Sequence, residues 1–345
     1  MGKSIFDLVT ANEIVAYWKV MDQDQTGYLG EELFPSDKKL GLDLKWLHGA
    51  KGLPVVLKPS AYDAVSLKRD RIGFQQTMAS MPFFKESMYI DEELRQQLNM
   101  VLETGNAAYI DSILNQIFDD NVQLLKGAKA QRERMRMSLL TTGAISMTAN
   151  GQNYDYDYGM DSSQKKDSGV DWTDPDADII GDLRAWQKQI RDTTGNNPTR
   201  LILNSKTESY FLKNKDLKNA IWHNNAEAPI LETNVRQYIN AALGISYAVY
   251  DKMFIDEAGT QKNFVPDDLV VLIPRGSLGK SWFGTTPEES DLMSGSAANV
   301  AITDVGVAVT TSKKIDPVNV DTKVSMIFLP SFEGIENVII SDVGA

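Results

Sequence analysis

An α+β fold is predicted for this chain, and three observations predict it. Residues 107–142 carry apolar side chains at spacings of three and four over a span long enough for one extended helix. From residue 171 onward, short helical and strand patterns alternate as in a compact α/β domain. After residue 300 the chain turns β-rich. Ahead of all three lie about a hundred residues too thinly apolar to build a core of their own, so the order reads as a subunit that reaches into its neighbours.

Taken in order, residues 4–21 place Ile5, Leu8, Val9, Val15 and Trp18 roughly on one helical face, with Ser4 as the cap; the polar stretch 22–30 ends it. This segment reads as an arm and not as core. Short extended runs follow at 42–47, 53–58 and 63–68, divided by Pro35, Gly41, Gly49, Gly52, Pro54, Pro59 and Gly73. Leu42, Leu44 and Trp46 share one face of the first run, and a long two-stranded loop is the simplest arrangement. Such a hairpin is marginal in water, so its stability is expected from another chain. Lys68-Arg69-Asp70-Arg71 is the most basic patch before the long helix.

A short helix is expected at 91–102, stopped by Gly105-Asn106. The long helix then carries Ile110, Ile113, Leu114, Ile117, Phe118, Leu124 and Leu125, and later Met135, Leu139 and Leu140. At 1.5 Å per residue it spans roughly 50 Å, with Gly127 a candidate kink and Gly143 the stop. Asp174-Pro175 reads as a cap before the stripe Ile179, Leu183, Trp186 and Ile190, which Gly195 closes. A strand at 200–203, a capping box of Ser205 with Glu208, and a helix opened by Thr233 and closed by Gly244 follow. Strands are expected at 245–250, 269–273, 300–311, 320–329 and 338–340. The tail is expected to pair with hairpin material at 145–158, which would make the middle domain an insertion.

Composition excludes several classes of function. At 345 residues with 42% hydrophobic content the chain is long enough for one large or two ordinary folded domains. It has no cysteine, which removes disulfides, thiolate zinc sites and cysteine nucleophiles, and fits a reducing compartment. The start lacks the apolar core of a secretory signal, and no segment is long and apolar enough to span a bilayer. Its formal charge of -12, from 35 basic and 47 acidic residues, argues against tight binding to phosphates. An acidic wall would instead avoid sticking to packed DNA.

Several motifs tempt and do not hold. Asp22-Gln23-Asp24-Gln25-Thr26-Gly27-Tyr28-Leu29 resembles the start of a calcium loop, but Leu33 stands where a bidentate glutamate is needed and Pro35 cuts the exiting helix. It reads as a polar turn. Pro274-Arg275-Gly276-Ser277-Leu278-Gly279-Lys280-Ser281 resembles a phosphate loop without its leading glycine, and Trp282-Phe283-Gly284 cannot continue as the required helix. A glycine-rich turn between strands is the better account. Asn153 to Tyr158 alternates tyrosine with acid, as a strand edge does. The only histidines, His48 and His223, sit beside no nucleophile motif, so no catalytic residue, metal site or cofactor is expected.

Several landmarks in sequence order resemble the lambda-type major capsid protein family of tailed bacteriophages, the major capsid protein E family. They are Leu8-Val9-Thr10-Ala11-Asn12-Glu13, Arg69-Asp70-Arg71-Ile72-Gly73, Leu125-Lys126-Gly127 with Thr142-Gly143, Lys262-Asn263-Phe264-Val265-Pro266-Asp267, Phe283-Gly284 and Val338-Ile339-Ile340-Ser341. Their collinearity over nearly the whole chain carries the identification. The resemblance implies the tailed-bacteriophage major capsid fold: an N-terminal arm at 1–37, an extended loop at 38–88, a peripheral domain with a long spine helix at 89–168 and 296–345, and an axial α/β domain at 169–295.

It further implies a shell of pentamers and hexamers that encloses double-stranded DNA without reading its sequence. A procapsid would assemble in the bacterial cytoplasm and expand into the virion head. A separate scaffolding protein and a portal are expected partners, since the arm lies too near the start for a built-in scaffolding domain; a decoration protein is a further candidate. Arg69 and Arg71 are candidates for intersubunit ion pairs, with Trp46 and Trp18 as further intersubunit contacts. No feature marks a crosslink among Lys58, Lys68, Asn319 and Asn337. The alternatives are a cellular nanocompartment shell of the same fold and a soluble hydrolase using paired carboxylates.

Overall fold

The computed structural model describes residues 8–23, 27–48, 75–90, 92–104, 107–149, 151–166, 171–223, 228–292, 298–316 and 318–344. Helices α1 (Ala11–Gln23) and α2 (Leu29–Leu33) come first, then strands β1 (Ser36–Lys38), β2 (Asp43–His48), β3 (Gln75–Ser80) and β4 (Phe83–Tyr89). Helices α3 (Glu92–Thr104) and α4 (Ala107–Thr142) precede strands β5 (Ala144–Ala149), β6 (Gln152–Asp157) and β7 (Lys165–Lys166). The middle runs α5 (Ile179–Thr194), β8 (Arg200–Leu203), α6 (Ser205–Lys213), α7 (Lys215–Trp222), α8 (Glu232–Leu243), β9 (Ser246–Val249), β10 (Met253–Ile255), β11 (Gln261–Asn263) and β12 (Leu269–Ile273). Strands β13 (Ser281–Phe283), β14 (Asn299–Thr303), β15 (Val307–Ile315), β16 (Val318–Pro330) and β17 (Ile339–Asp342) close the chain.

Two compact units result. The first takes the described residues of 1–44, 79–135 and 280–331; the second takes those of 45–78, 136–279 and 332–345.

In the first unit β16 is the central strand. It pairs with β13, β15 and β4, and a strand hydrogen-bonded on both sides and buried on both faces reads as a continuous apolar run, here Met326 to Leu329. The expected strand 300–311 is two strands, β14 and β15, turned at Asp304, whose φ of 51 is a left-handed conformation that aspartate tolerates better than most residues. At Gly284 a Cβ would meet Ile327 Cγ2 at 2.7 Å, so only glycine lets the two segments approach.

Helix α1 overturns the reading of residues 4–21 as an arm without core. Val9, Ala11, Ile14, Val15 and Trp18 are buried, as are Leu33 and Phe34, and the Ala11 N–H donates to Asn299 Oδ1 at 3.0 Å. The expected cap, Ser4, lies outside the described residues. Thr10 and Glu13 cap α1 reciprocally, each accepting the other's backbone N–H at 3.3 Å. The partner that these early residues need is thus supplied, for α1, by a later stretch of the same chain.

In the second unit a five-stranded sheet runs β7-β17-β12-β8-β9. Strands β8 and β9 are parallel, with α6, α7 and α8 forming the crossover that parallel pairing demands. The stripe Ile179, Leu183, Trp186 and Ile190 faces the core as expected; Trp172 stacks on Trp186 at 5.6 Å and tilts onto Phe211 at 5.4 Å. Three caps differ from expectation. Asp178, not Asp174, caps α5 by accepting the Gly181 N–H at 2.8 Å, while Asp174 is held in a local turn with the Asp176 N–H. Asn204 caps α6 by accepting from Thr207, so Glu208 is free to pair with Arg236 at 2.9 Å. Helix α8 begins at Glu232 with Leu231 in the cap position and no side-chain cap.

The tail does not pair with the hairpin after the spine helix. Among the described residues β5 and β6 pair with each other, while β17 joins β12 and β7, and β16 takes β4. Strand β4 is exposed along most of its length, so it lacked the apolar signal that would have marked it as a partner. In the hairpin the tyrosines stack, Tyr154 on Tyr156 at 6.4 Å, and Asp155 and Asp157 face solvent.

Candidate assembly surfaces

The spine helix α4 runs unbroken for 36 residues, through Gly127, with the bounds its periodicity predicts. Its apolar stripe has a gap between Leu125 and Met135, and buried charge fills that gap. Lys129 Nζ meets Asp22 Oδ1 at 2.8 Å and lies over the rings of Trp18 and Tyr28, at 5.9 and 5.8 Å. Arg132 Nη2 meets Asp304 Oδ2 at 2.7 Å. Glu133, fully buried, accepts the Gly30 N–H at 3.0 Å. A stripe read only for apolar residues passes over these positions; their i, i+3, i+4 spacing was the available signal.

These contacts tie both α1 and α2 to the spine. Strand β1 adds a third attachment, pairing parallel with β13 while Asp37 accepts from Lys280 Nζ at 2.7 Å and Lys38 pairs with Glu289. The hydrogen bond from Lys280, with the Lys38 N–H, holds the Asp37 carboxyl below its usual range. Nearby, burial pushes Glu288 up, but the ammonium of Lys323 at 2.6 Å and the hydroxyl of Ser325 at 2.9 Å outweigh it, and its carboxyl titrates below the ordinary value.

Between α1 and the first half of α4 an apolar groove of about 400 Å³ opens, lined by Leu8, Ala16, Tyr17, Val20, Leu114 and Phe118. Tyr17 Oη donates to Asp119 at 2.7 Å along it.

The residues named from the sequence scatter. Arg69 and Arg71 lie outside the described residues. Trp46 is in β2, which pairs with β3, a strand not expected from the sequence; the runs at 53–58 and 63–68, and with them the rest of the expected two-stranded loop, lie outside the described residues. Trp18 is 2% exposed and packed inside its own chain, so it is not available as a subunit contact. The pattern of one helix does not show the later strands β14 and β15 that pack against it.

Of the calcium-like stretch, residues 24–26 lie outside the described residues. Asp22 of the calcium-like stretch is spent on Lys129, and among the described residues no group of three or more histidine, aspartate or glutamate side chains is placed to hold a metal ion. The phosphate-loop lookalike is a turn between β12 and β13, with Gly276 at φ 90. His223 ends α7 in the left-handed conformation, and His48 ends β2.

Lys262 to Asp267 fastens β10 and β11 to the entry of β12. Lys262 pairs with Asp256 at 2.7 Å, Phe264 stacks on Phe254 at 4.9 Å, and Asp267 accepts from Asn204 at 2.6 Å. Beside it Tyr210 donates to Asp268; burial first, then that carboxylate, push the Tyr210 hydroxyl up to about 12.

Solved structures share this architecture. A prophage protein of E. coli CFT073 assigned to the capsid superposes with a TM-score of 0.62 at 15% identity, over 97% of this chain and 99% of that one. A phage-related protein from Bordetella bronchiseptica RB50 gives 0.58 at 14% identity, over 97% of each chain. The capsid asymmetric unit of cyanophage A-1(L) gives 0.52 at 11% identity, over 93% and 94%. No curated protein matches the chain in sequence. The fold is that of phage capsid subunits. The family model for phage major capsid protein E matches residues 10–343, and the chain belongs to that family. Its role is to form the capsid shell of a bacteriophage, as a structural component of the virion.

Proposed function

We propose that this subunit builds an icosahedral procapsid from pentamers and hexamers of itself, guided by a separate scaffolding protein and portal in the bacterial cytoplasm. The shell then expands around double-stranded DNA held without sequence-specific contacts, and the chain contributes no catalysis. The family match over residues 10–343 is the observation that carries this reading. In this reading residues 1–37 act as the arm, 38–88 as the extended loop, 89–168 with 296–345 as the peripheral domain, and 169–295 as the axial domain. Arg69, Arg71 and Trp46 remain the proposed loop contacts with neighbouring copies, and a decoration protein would bind the outside. Electron microscopy of particles from cells expressing the chain with its scaffolding protein tests it: closed shells with five- and six-fold rings are expected, and a uniform monomer would overturn it.

A further inference from the structure

The groove between α1 and the first half of α4, within the first unit, is an apolar surface left partly open. Leu8, Ala16, Val20, Leu114 and Phe118 line it, and the Tyr17 ring lies against that of Phe118 at 5.5 Å. Ile117 and Val122 on the same helix are buried, whereas Leu114 and Phe118 are only half-buried. Two carboxylates stand at the groove. Glu13 accepts from Thr10 Oγ1 at 3.2 Å and Asp119 accepts from Tyr17 Oη at 2.7 Å. Both donors are neutral, so neither carboxylate meets a cation among the described residues.

The occupant that fits is the stretch of this chain just ahead of Leu8. Residues 1–7 lie outside the described residues, and Leu8, to which they are joined, is itself part of the lining. Ile5 and Phe6 stand three and two residues before it. That much extended chain spans at most roughly 10 Å, so both side chains are within reach of the groove. Lys3, the one base of the segment, is opposite in sign to Glu13 and Asp119, while Asp7, its one acid, adjoins Leu8. So short a tether sets an effective concentration on the order of millimolar, which a second copy or another protein matches only when abundant.

We propose that residues 1–7 fold back as a strap over this groove in their own chain, with Ile5 and Phe6 seated against Tyr17, Leu114 and Phe118, and Lys3 beside the two carboxylates. The gain from burying two large side chains and the entropy lost in fixing three residues are of similar size, so the strap is held and is releasable. The groove is thereby covered within one subunit and is bared to a neighbour only when the strap lifts. This contact is independent of the shell-forming reading, because it is a property of the single subunit.

The chain has no cysteine, so introduced thiols report without background. The free subunit carrying Phe6→Cys with Leu114→Cys, treated at low concentration with a short bismaleimide, is expected to give a monomer-sized product. Peptide mapping should join its N-terminal peptide to that of the spine helix. Gln123 is exposed and lies half a turn round the same helix from Leu114. Phe6→Cys with Gln123→Cys is therefore expected to give at least about tenfold less of that product. Equal yields from the two pairs would overturn the proposal. A covalent dimer from Phe6→Cys with Leu114→Cys would also overturn it, since the strap would then be a second copy's. Should Leu114→Cys fail to fold, Ile5→Ser with Phe6→Ser decides. That variant is expected to bind the apolar dye anilinonaphthalene sulfonate with at least about threefold brighter fluorescence at unchanged melting temperature, and an unchanged or weaker signal overturns the proposal. Both readouts use the free subunit, so their failure leaves the shell reading standing.

Discussion

Trp18 illustrates why single residues were the least legible level. In the sequence it belongs to a short amphipathic segment with no visible partner, and it reads as a contact for another subunit. In the structure Lys129 sits over its ring, and the side chain is buried in its own chain. Trp18→Ala is therefore expected to destabilise the first unit by about 3–5 kcal/mol, as large-to-small changes in cores do, measured by denaturant melts. Glu288 gives a pH prediction. Its carboxyl titrates below the ordinary value of 4.5 when folded, so its contribution is fully present above about that pH and is lost as pH falls through the lower folded value. Glu288→Gln should flatten the acid limb of the stability profile, and an unchanged limb would show that Lys323 and Ser325 do not hold that carboxylate.

At the scale of elements, periodicity worked where a single helix face meets a core. The bounds of α4 and the stripe of α5 both match what the spacing of apolar residues predicts. It failed where the information lies elsewhere in the chain. Strand β4 is largely exposed and owes its place to β16, and the pairing of β17 with β12 follows from no local pattern. Apolar spacing does not register the spine charges Lys129, Arg132 and Glu133, whose partners, Asp22, Asp304 and Gly30, lie roughly a hundred residues or more away. Two glycines of α4 and its end separate the helix's demands. Gly127 has nothing within 4 Å of a would-be Cβ, so Gly127→Ala should stabilise by about 0.5–1 kcal/mol. Gly143 has φ +73 and would place its Cβ 2.9 Å from that of Met160, so Gly143→Ala should destabilise by about 1 kcal/mol or more. Thermal melts of the two variants should shift in opposite directions.

For the whole molecule, the capsid family was legible because its landmarks recur in order along the chain, and the structure gives several of them physical roles. Thr10 with Glu13 caps α1, Gly284 admits Ile327, and the segment from Lys262 to Asp267 secures a hairpin. The assembly surfaces were less legible, since exposure depends on which residues the fold covers. Removing residues 1–37 takes Ile14, Trp18, Leu33 and Phe34 out of the first unit, so the truncated chain should lose that unit's cooperative melting together with its particles. The most direct measurement of the central claim is the mass of the purified chain across concentration, followed by electron microscopy of the heaviest fraction. A subunit of 38.4 kDa that forms a shell should give five- and six-subunit rings and closed particles. A single species of 38.4 kDa at every concentration, with no particles even beside its scaffolding protein, would contradict the account.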